Sequence, residues 1–278
     1  MSEPILICTD LDGTLLPNGS APESPSARRR FAQVVARPEV SLVYVTGRHQ
    51  ALVEEAIAEF ALPLPEFLIG DVGTTIYDVD ARGWRPWRSW RELLETEWPP
   101  GSHARLQGML EHLEGVELQE DSKQADFKLS YYVEGDWNRE RLLEDIRQRL
   151  GRRRPSAQLI FSRDEQGVGL LDLVPRSAGK LCAVVFVQKQ KGFRPGRTVF
   201  AGDSGNDMQV MTSGLPSVLV ANASEAVRRE SQEMAAANGH LEQLHQARGD
   251  FLGMNGNYGA GILEGLAHFL PETVVWME

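Results

Sequence analysis

The sequence predicts an α/β protein: a doubly wound parallel sheet as the core, with a smaller α+β domain inserted into it. Three observations lead there. Four apolar runs each stop abruptly at a polar cluster: residues 5–9 before Asp10, 42–45 before Thr46, 170–175 leading to Lys180, and 198–201 before Asp203. Strands of a parallel sheet end this way where they deliver side chains to their carboxyl ends. Helical patterns lie between strand-like runs, the alternation expected of βαβ units. The composition then shifts after Asp80, where Trp84, Trp87, Trp90 and Trp98 crowd into fifteen residues. At 278 residues the chain also exceeds the usual size of one domain.

Taken in order, a strand over 5–9 leads into a Pro/Gly/Ser-rich loop over 17–26. A helix over 27–36, a strand over 41–45, a helix over 50–60 and a strand over 67–69 follow. Residues 70–77 read as strand, turn, strand. Within the insertion, periodicity predicts an amphipathic helix over 106–113, a half-buried strand in the alternation of 127–133, a helix over 139–150 and a strand over 158–162. The core resumes with a helix after Gly179 and the strand that ends at Asp203. The expected domains are a core of 1–81 with 175–278 and an insertion of 82–174, hung from two linkers near Asp80 and Pro175 that act as a hinge.

Composition narrows the function. Hydrophobic residues make up 42% of the chain, ample for a packed core, and the net charge is -10. No basic run is longer than a triplet such as Arg152-Arg153-Arg154, which reads as a solvated helix end. Binding a phosphate backbone needs clustered Lys and Arg, so a nucleic-acid partner is not expected. Two cysteines, Cys8 and Cys182, are too few for a disulfide framework, and the N-terminus lacks the charged-then-apolar pattern of a signal peptide. No apolar stretch reaches the roughly 20 residues that cross a bilayer. A soluble protein of the reducing cytoplasm, with no membrane partner, is expected.

Asp10 and Asp12 are the most informative pair. In an extended chain, side chains two apart point to the same side, so both carboxylates face one reacting group where the strand stops. Asp and Gly are also the usual turn residues, and a solvated turn is the alternative. Asp203 and Asp207, four apart, read either as ligands or as a helix N-cap and a first-turn acid. Lys180 stands out from surface lysines only by its place after Val174-Pro175. Arg48 and His49 fit a solvated helix start and stay outside the catalytic set. Lys128, on an alternating strand, is either a ligand-binding lysine or an exposed strand-face lysine. The tryptophans suit a domain core better than a stacking surface. No two histidines have ligand spacing, so zinc is not expected.

In this order the segments resemble the four motifs of the haloacid dehalogenase-like (HAD) phosphohydrolases: Asp-x-Asp-Gly-Thr at Asp10, a strand-end Thr46, Lys180, and Gly-Asp-x-x-Asn-Asp from Gly202 to Asp207. The resemblance implies that Asp10 is the nucleophile and Asp12 the general acid/base. It implies that Thr46, Gly47 and Lys180 bind the phosphate, and that Mg²⁺ is held by Asp10, Asp203 and the backbone carbonyl of Asp12, with Asn206 and Asp207 in support. A carboxylate attacking a phosphomonoester from about 4 Å meets repulsion of roughly 4 kcal/mol per charge pair at an effective dielectric of 20, so such cations are needed. An insertion between the second and third motifs corresponds to the type 2 cap of that superfamily, common on sugar-phosphate phosphatases.

The chain is further similar to the sucrose-phosphate phosphatases and their relatives, through Gly70-Asp71-Val72-Gly73-Thr74, Lys128-Leu129-Ser130-Tyr131 and Ala260-Gly261-Ile262-Leu263-Glu264-Gly265. Residues 230–258, with Gly253, Gly256 and the adjacent Gly259, are longer and richer in glycine than that similarity leads one to expect. The resemblance implies a Mg²⁺-dependent phosphatase of a disaccharide or glycosyl phosphate, with sucrose 6-phosphate first and mannosylfructose, glucosylglycerol or hexose phosphates as alternatives. A phosphotransferase or mutase, and a non-catalytic sugar-binding module, are the other readings. It also suggests association with the glycosyltransferase that makes the substrate.

Overall fold

The computed structural model describes residues 3–135, 138–151, 157–163 and 167–278. Arg152-Arg153-Arg154, read above as a helix end, lies outside them. The chain divides into two compact units, Met1–Pro86 with Lys180–Glu278, and Trp87–Gly179.

The first unit opens with β1 (Ile5–Thr9), α1 (Ala27–Val35), β2 (Val40–Val45), α2 (Gln50–Phe60) and β3 (Phe67–Gly70). β1 is buried along its whole length, as a central strand covered on both faces must be. After a tight turn the chain reverses through β4 (Thr75–Asp80) and β5 (Gly83–Pro86), which pair antiparallel, Val79 opposite Trp84. The chain therefore does not leave the core at Asp80 as expected. It adds an edge hairpin whose Trp84 packs on the core.

The second unit comprises α3 (Arg88–Glu97), α4 (Ser102–Met109), β6 (Val116–Leu118), β7 (Leu129–Val133), α5 (Arg139–Leu150), β8 (Ala157–Arg163) and β9 (Gly169–Pro175). Its sheet runs β6-β7-β9-β8, antiparallel throughout. Trp90, Leu94 and Trp98, at helical spacing, are buried in this unit, so these two tryptophans form core as the sequence suggested. The helix they define, α3, was not expected, because the tryptophan cluster masks the Arg88–Glu92 and Arg91–Glu95 pairs at i,i+4 that mark its outer face. The helix expected over 106–113 lies earlier, ending at Met109.

The apolar run 170–175 also belongs to the second unit. As β9 it pairs with β7 and β8, and the residues after it stay with that unit too. The Ser177 amide donates to Glu97 Oε2 at 3.1 Å, its hydroxyl to Oε1, and the Gln158 side-chain Nε2 to the Ala178 carbonyl. The compact units consequently divide a few residues later than 82 and 174, at Trp87 and Gly179.

The first unit resumes with α6 (Lys180–Lys191), β10 (Thr198–Gly202), α7 (Met208–Met211), β11 (Ser217–Leu219), α8 (Glu225–Ala237), β12 (Leu244–Gln246) and α9 (Gly259–Phe269). Its eight-stranded sheet has the order β12-β11-β10-β1-β2-β3-β4-β5, parallel from β12 to β3. The chain moves outward from β1 in one direction through β2 and β3 and in the other through β10 and β11. This reversal is the switch point where open α/β sheets keep their ligands. Among the described residues no helix is long and apolar enough to cross a membrane.

α9 seats against β11 through glycine. A Cβ on Gly265 would lie 2.0 Å from Val218 Cγ2, and one on Gly261 would lie 2.3 Å from the Gly256 carbonyl oxygen. Gly265→Ala is expected to destabilise the protein by about 1 to 3 kcal/mol through overpacking. Urea unfolding checks this; an unchanged midpoint would show that the helix has room to move away.

Candidate active site

Adjacent parallel strands bring the first acids together. β1 and β10 pair in the register Thr9 to Ala201, and the Asp10 amide donates to the Ala201 carbonyl at 2.9 Å. Asp10 thus leaves β1 beside the point where β10 releases Asp203. One Asp10 oxygen, Oδ1, accepts the Leu11 amide at 2.7 Å. The other, Oδ2, accepts Lys180 Nζ at 2.7 Å.

Lys180 is the first residue of α6 and is 2% exposed. Its three N–H groups all donate at 2.7 Å, to Asp10 Oδ2, Asn206 Oδ1 and Asp207 Oδ1. Asp207 also shapes its own loop: its Oδ2 accepts the amides of Asp203 and Ser204 at 3.1 and 3.2 Å, forming a capping box with Ser204. The capping reading of this motif was therefore true in part, with Ser204 rather than Asp203 as the cap. Asp203 is oriented by the Thr14 hydroxyl, which donates to Oδ1 at 2.8 Å.

Carboxylate oxygens of Asp10, Asp203 and Asp207 all lie within 4.8 Å of one another, a set that could hold a metal ion. Burial raises the Asp10 carboxyl well above its ordinary range, with the Asp207 and Asp203 charges adding to it and Lys180 opposing. Asp203 is pushed up to about 7, again by burial first and then by Asp207. Burial pulls Lys180 down, but the Asp10 and Asp207 carboxylates outweigh it and hold the ammonium above its usual value. One ammonium against three acids leaves a deficit of positive charge, and hard oxygen donors suit a hard divalent cation.

Two glycines make the close approach possible. Gly13 has φ +69°, and a Cβ there would lie 2.4 Å from Asp203 Oδ2; one on Gly202 would lie 2.5 Å from Asp207 Cγ. Any larger residue would occupy the space of the carboxylates.

Thr46 ends β2, fully buried, with its amide donating to Ile69 and its carbonyl accepting the Val72 amide at 3.0 Å. Its hydroxyl accepts the Arg48 amide at 3.2 Å. That bond, together with the Asp71 amide on the Arg48 carbonyl, keeps residues 46–48 out of helix, and α2 begins only at Gln50 with His49 as its N-cap. Thr46 and Gly47 therefore lie in a turn ahead of the N-terminus of α2. Asp71 and Val72 hold φ of 50° and 58°, a strained pair that supports this turn.

Asp12 faces a different set of groups from Asp10. Arg48 Nε donates to its Oδ2 at 2.8 Å and Nη2 to its Oδ1 at 2.6 Å. Asn18 Nδ2 donates to Oδ1 at 2.7 Å, while the Gly13 amide donates to Asn18 Oδ1 at 2.8 Å. Sequence reasoning set Arg48 aside and passed over Asn18. Neither has a spacing signal: one follows a strand end, the other sits in a loop rich in turn residues.

The glycine-rich segment braces this loop. Asn222 donates to the Gly13 carbonyl at 2.6 Å and accepts the Tyr258 amide at 2.8 Å. Asn255 and Asn257 donate to the Pro22 carbonyl at 2.8 and 2.9 Å. Lys128 lies in the second unit, 6% exposed, so it is not an exposed strand-face lysine. Its amide and carbonyl bond Ala125 in a turn, and β7 starts after it.

The sucrose-6F-phosphate phosphohydrolase family model matches residues 3–270. A protein of Nitrosococcus oceani named only as a HAD-like hydrolase is 47% identical, over all of this chain and 75% of its own length. Probable sucrose-phosphatase 2 of Arabidopsis thaliana is 28% identical over 95% of this chain, which spans 59% of that relative. The sucrose-phosphatase of Synechocystis sp. PCC6803, solved with sucrose and phosphate, shares the fold with a TM-score of 0.76 at 22% identity, covering 96% of this chain and 98% of its own.

Asp203→Asn separates repulsion from ligation. In chelator the variant is expected to melt no lower than wild type, because it removes one charge from a crowded buried site. With a divalent cation at a hundredfold excess over Kd, wild type gains about 2.7 kcal/mol, and the variant gains much less. Equal gains in a thermal-shift titration would remove Asp203 from the ligand set.

Proposed function

The chain belongs to the sucrose-6F-phosphate phosphohydrolase family, and from that premise we propose that it hydrolyses a disaccharide or glycosyl phosphate, sucrose 6-phosphate first, to free sugar and inorganic phosphate. That it is a phosphatase follows from the family. The observation that carries the reading is the cluster of buried Asp10, Lys180 and Asp207 with half-buried Asp203 at neighbouring strand ends.

Asp10 is the nucleophile, held by the Leu11 amide and by Lys180. Lys180 has every donor engaged, so an arriving phosphoryl oxygen replaces one acceptor, and the neutral Asn206 oxygen is the one least costly to leave. Thr46 and Gly47 add donors toward the phosphate. Asp10, Asp203 and the Asp12 carbonyl would hold Mg²⁺, whose charge would offset the repulsion between a carboxylate and a phosphate dianion. Asp207, with both oxygens already engaged, supports Lys180 and the loop. Asp12 protonates the departing sugar oxygen and then takes a proton from the water that opens the aspartyl-phosphate.

In this reading the second unit is the cap that chooses the sugar, with Lys128 as its candidate contact. The setting is a reducing cytoplasm in which Cys8 and Cys182 stay thiols, and the partner is the glycosyltransferase that makes the substrate.

Asp10→Asn is expected to abolish phosphate release while the protein stays folded, and EDTA to silence the wild type; full activity in excess chelator would exclude the metal-assisted route. A phosphate-release panel of sucrose 6-phosphate, mannosylfructose phosphate, glucosylglycerol phosphate and hexose phosphates, with Mg²⁺, tests the substrate. The expected outcome is the highest kcat/KM on sucrose 6-phosphate. Hexose phosphates ahead of every disaccharide would leave only a general sugar phosphatase.

A further inference from the structure

Arg48 has no role in the reaction as described so far, yet its side chain is among the most completely specified at the site. Its guanidinium places Nε on one Asp12 oxygen and Nη2 on the other, at 2.8 and 2.6 Å, while Nη1 reaches the Leu52 carbonyl of α2 at 3.4 Å. A fork of two parallel N–H bonds sets the plane of a carboxylate as well as its position. The backbone of Arg48 is fixed in turn, its amide on the Thr46 hydroxyl and its carbonyl under the Asp71 amide. Asn18 supplies the third donor to Asp12 and is itself held by the Gly13 amide.

The side chains of Arg48 and Asp12 are 27% and 40% exposed. An ion pair that open to solvent contributes little to stability, so this precision needs another explanation. We infer that Arg48 is a positioning residue for the reaction: with Asn18 it holds the Asp12 carboxylate in the orientation that takes a proton from the attacking water. The inference rests on Asp12 as the proton-handling group.

The step it serves is the second half of hydrolysis. A water proton passes to Asp12, the water oxygen forms a bond to phosphorus, the bond from phosphorus to the Asp10 oxygen breaks, and Asp10 returns as a carboxylate with inorganic phosphate released. The first half, with a good leaving group, has little need of Asp12. Loss of Arg48 should therefore expose the two halves as separate kinetic phases.

Stopped-flow hydrolysis of p-nitrophenyl phosphate by the full chain with Mg²⁺ reads this directly. Arg48→Ala is expected to release about one nitrophenolate per folded site in a burst and then turn over about tenfold to a hundredfold more slowly than wild type, the scale of a misplaced proton-transfer group. Arg48→Lys recovers part of the slow phase, because an ammonium restores charge without the fork. Asp12→Asn shows the same burst.

A steady rate within twofold of wild type and no burst in Arg48→Ala overturns the inference. So does a lower rate with a proportionally lower burst, which is what a purely structural lesion gives. Should Arg48→Ala not fold, Asn18→Ala must show the burst with a smaller slowing, and its absence overturns the inference equally. A burst in Asp12→Asn without one in Arg48→Ala sinks the clamp alone. Wild-type kinetics in Asp12→Asn removes the proton-handling assignment and the clamp with it.

Discussion

Everything at this site depends on keeping three carboxylates, two of them buried, packed together beside one ammonium. Asp10, Asp207 and Lys180 are each no more than 4% exposed. Removing one partner from a buried pair typically costs about 3 to 5 kcal/mol, because the remaining charge has no compensation. Lys180 is held against that penalty by three short bonds, and its four-residue network spans the chain from the first strand to the turn after β10. The fold tolerates the remaining imbalance by raising the carboxyl groups of Asp10 and Asp203. A site tuned in this way is poised to accept positive charge.

The sheet topology is what makes the cluster possible. Only at the reversal between β1 and β10 do two parallel strands release their carboxyl ends side by side without a helix crossing between them. Glycines at 13 and 202 then let the backbone come close enough for the carboxylates to sit over it. The second unit leaves the first at Pro86 and returns at Lys180, so the chain re-enters the core on the very residue that neutralises the acids. The residues just before it are tied to the second unit through Glu97 and Gln158.

Much of this was legible in the sequence. β1, α2 and α5 fall where periodicity placed them, because each has an uninterrupted pattern bounded by turn residues or a cap. The acids, Thr46 and Lys180 were legible because each stands at the end of an apolar run. α3 was hidden by its own tryptophans, and the bounds of the second unit fall a few residues later than its apolar runs suggested. A buried strand carries the same apolar signal whichever sheet receives it.

By itself, then, the sequence determined the fold class, the strand ends that carry polar clusters, and the family. Those follow from local properties: period, turn residues and the motif order along the chain. The tertiary structure decided which groups hold which. That Asp207, which caps its own turn, also binds Lys180, that Asn255 and Asn257 clasp the loop of Pro22, and that Arg48 grips Asp12 rather than solvent all rest on contacts between residues distant in sequence. Side chains 27 or more residues apart meet only once the sheet is assembled, and no local pattern records that meeting.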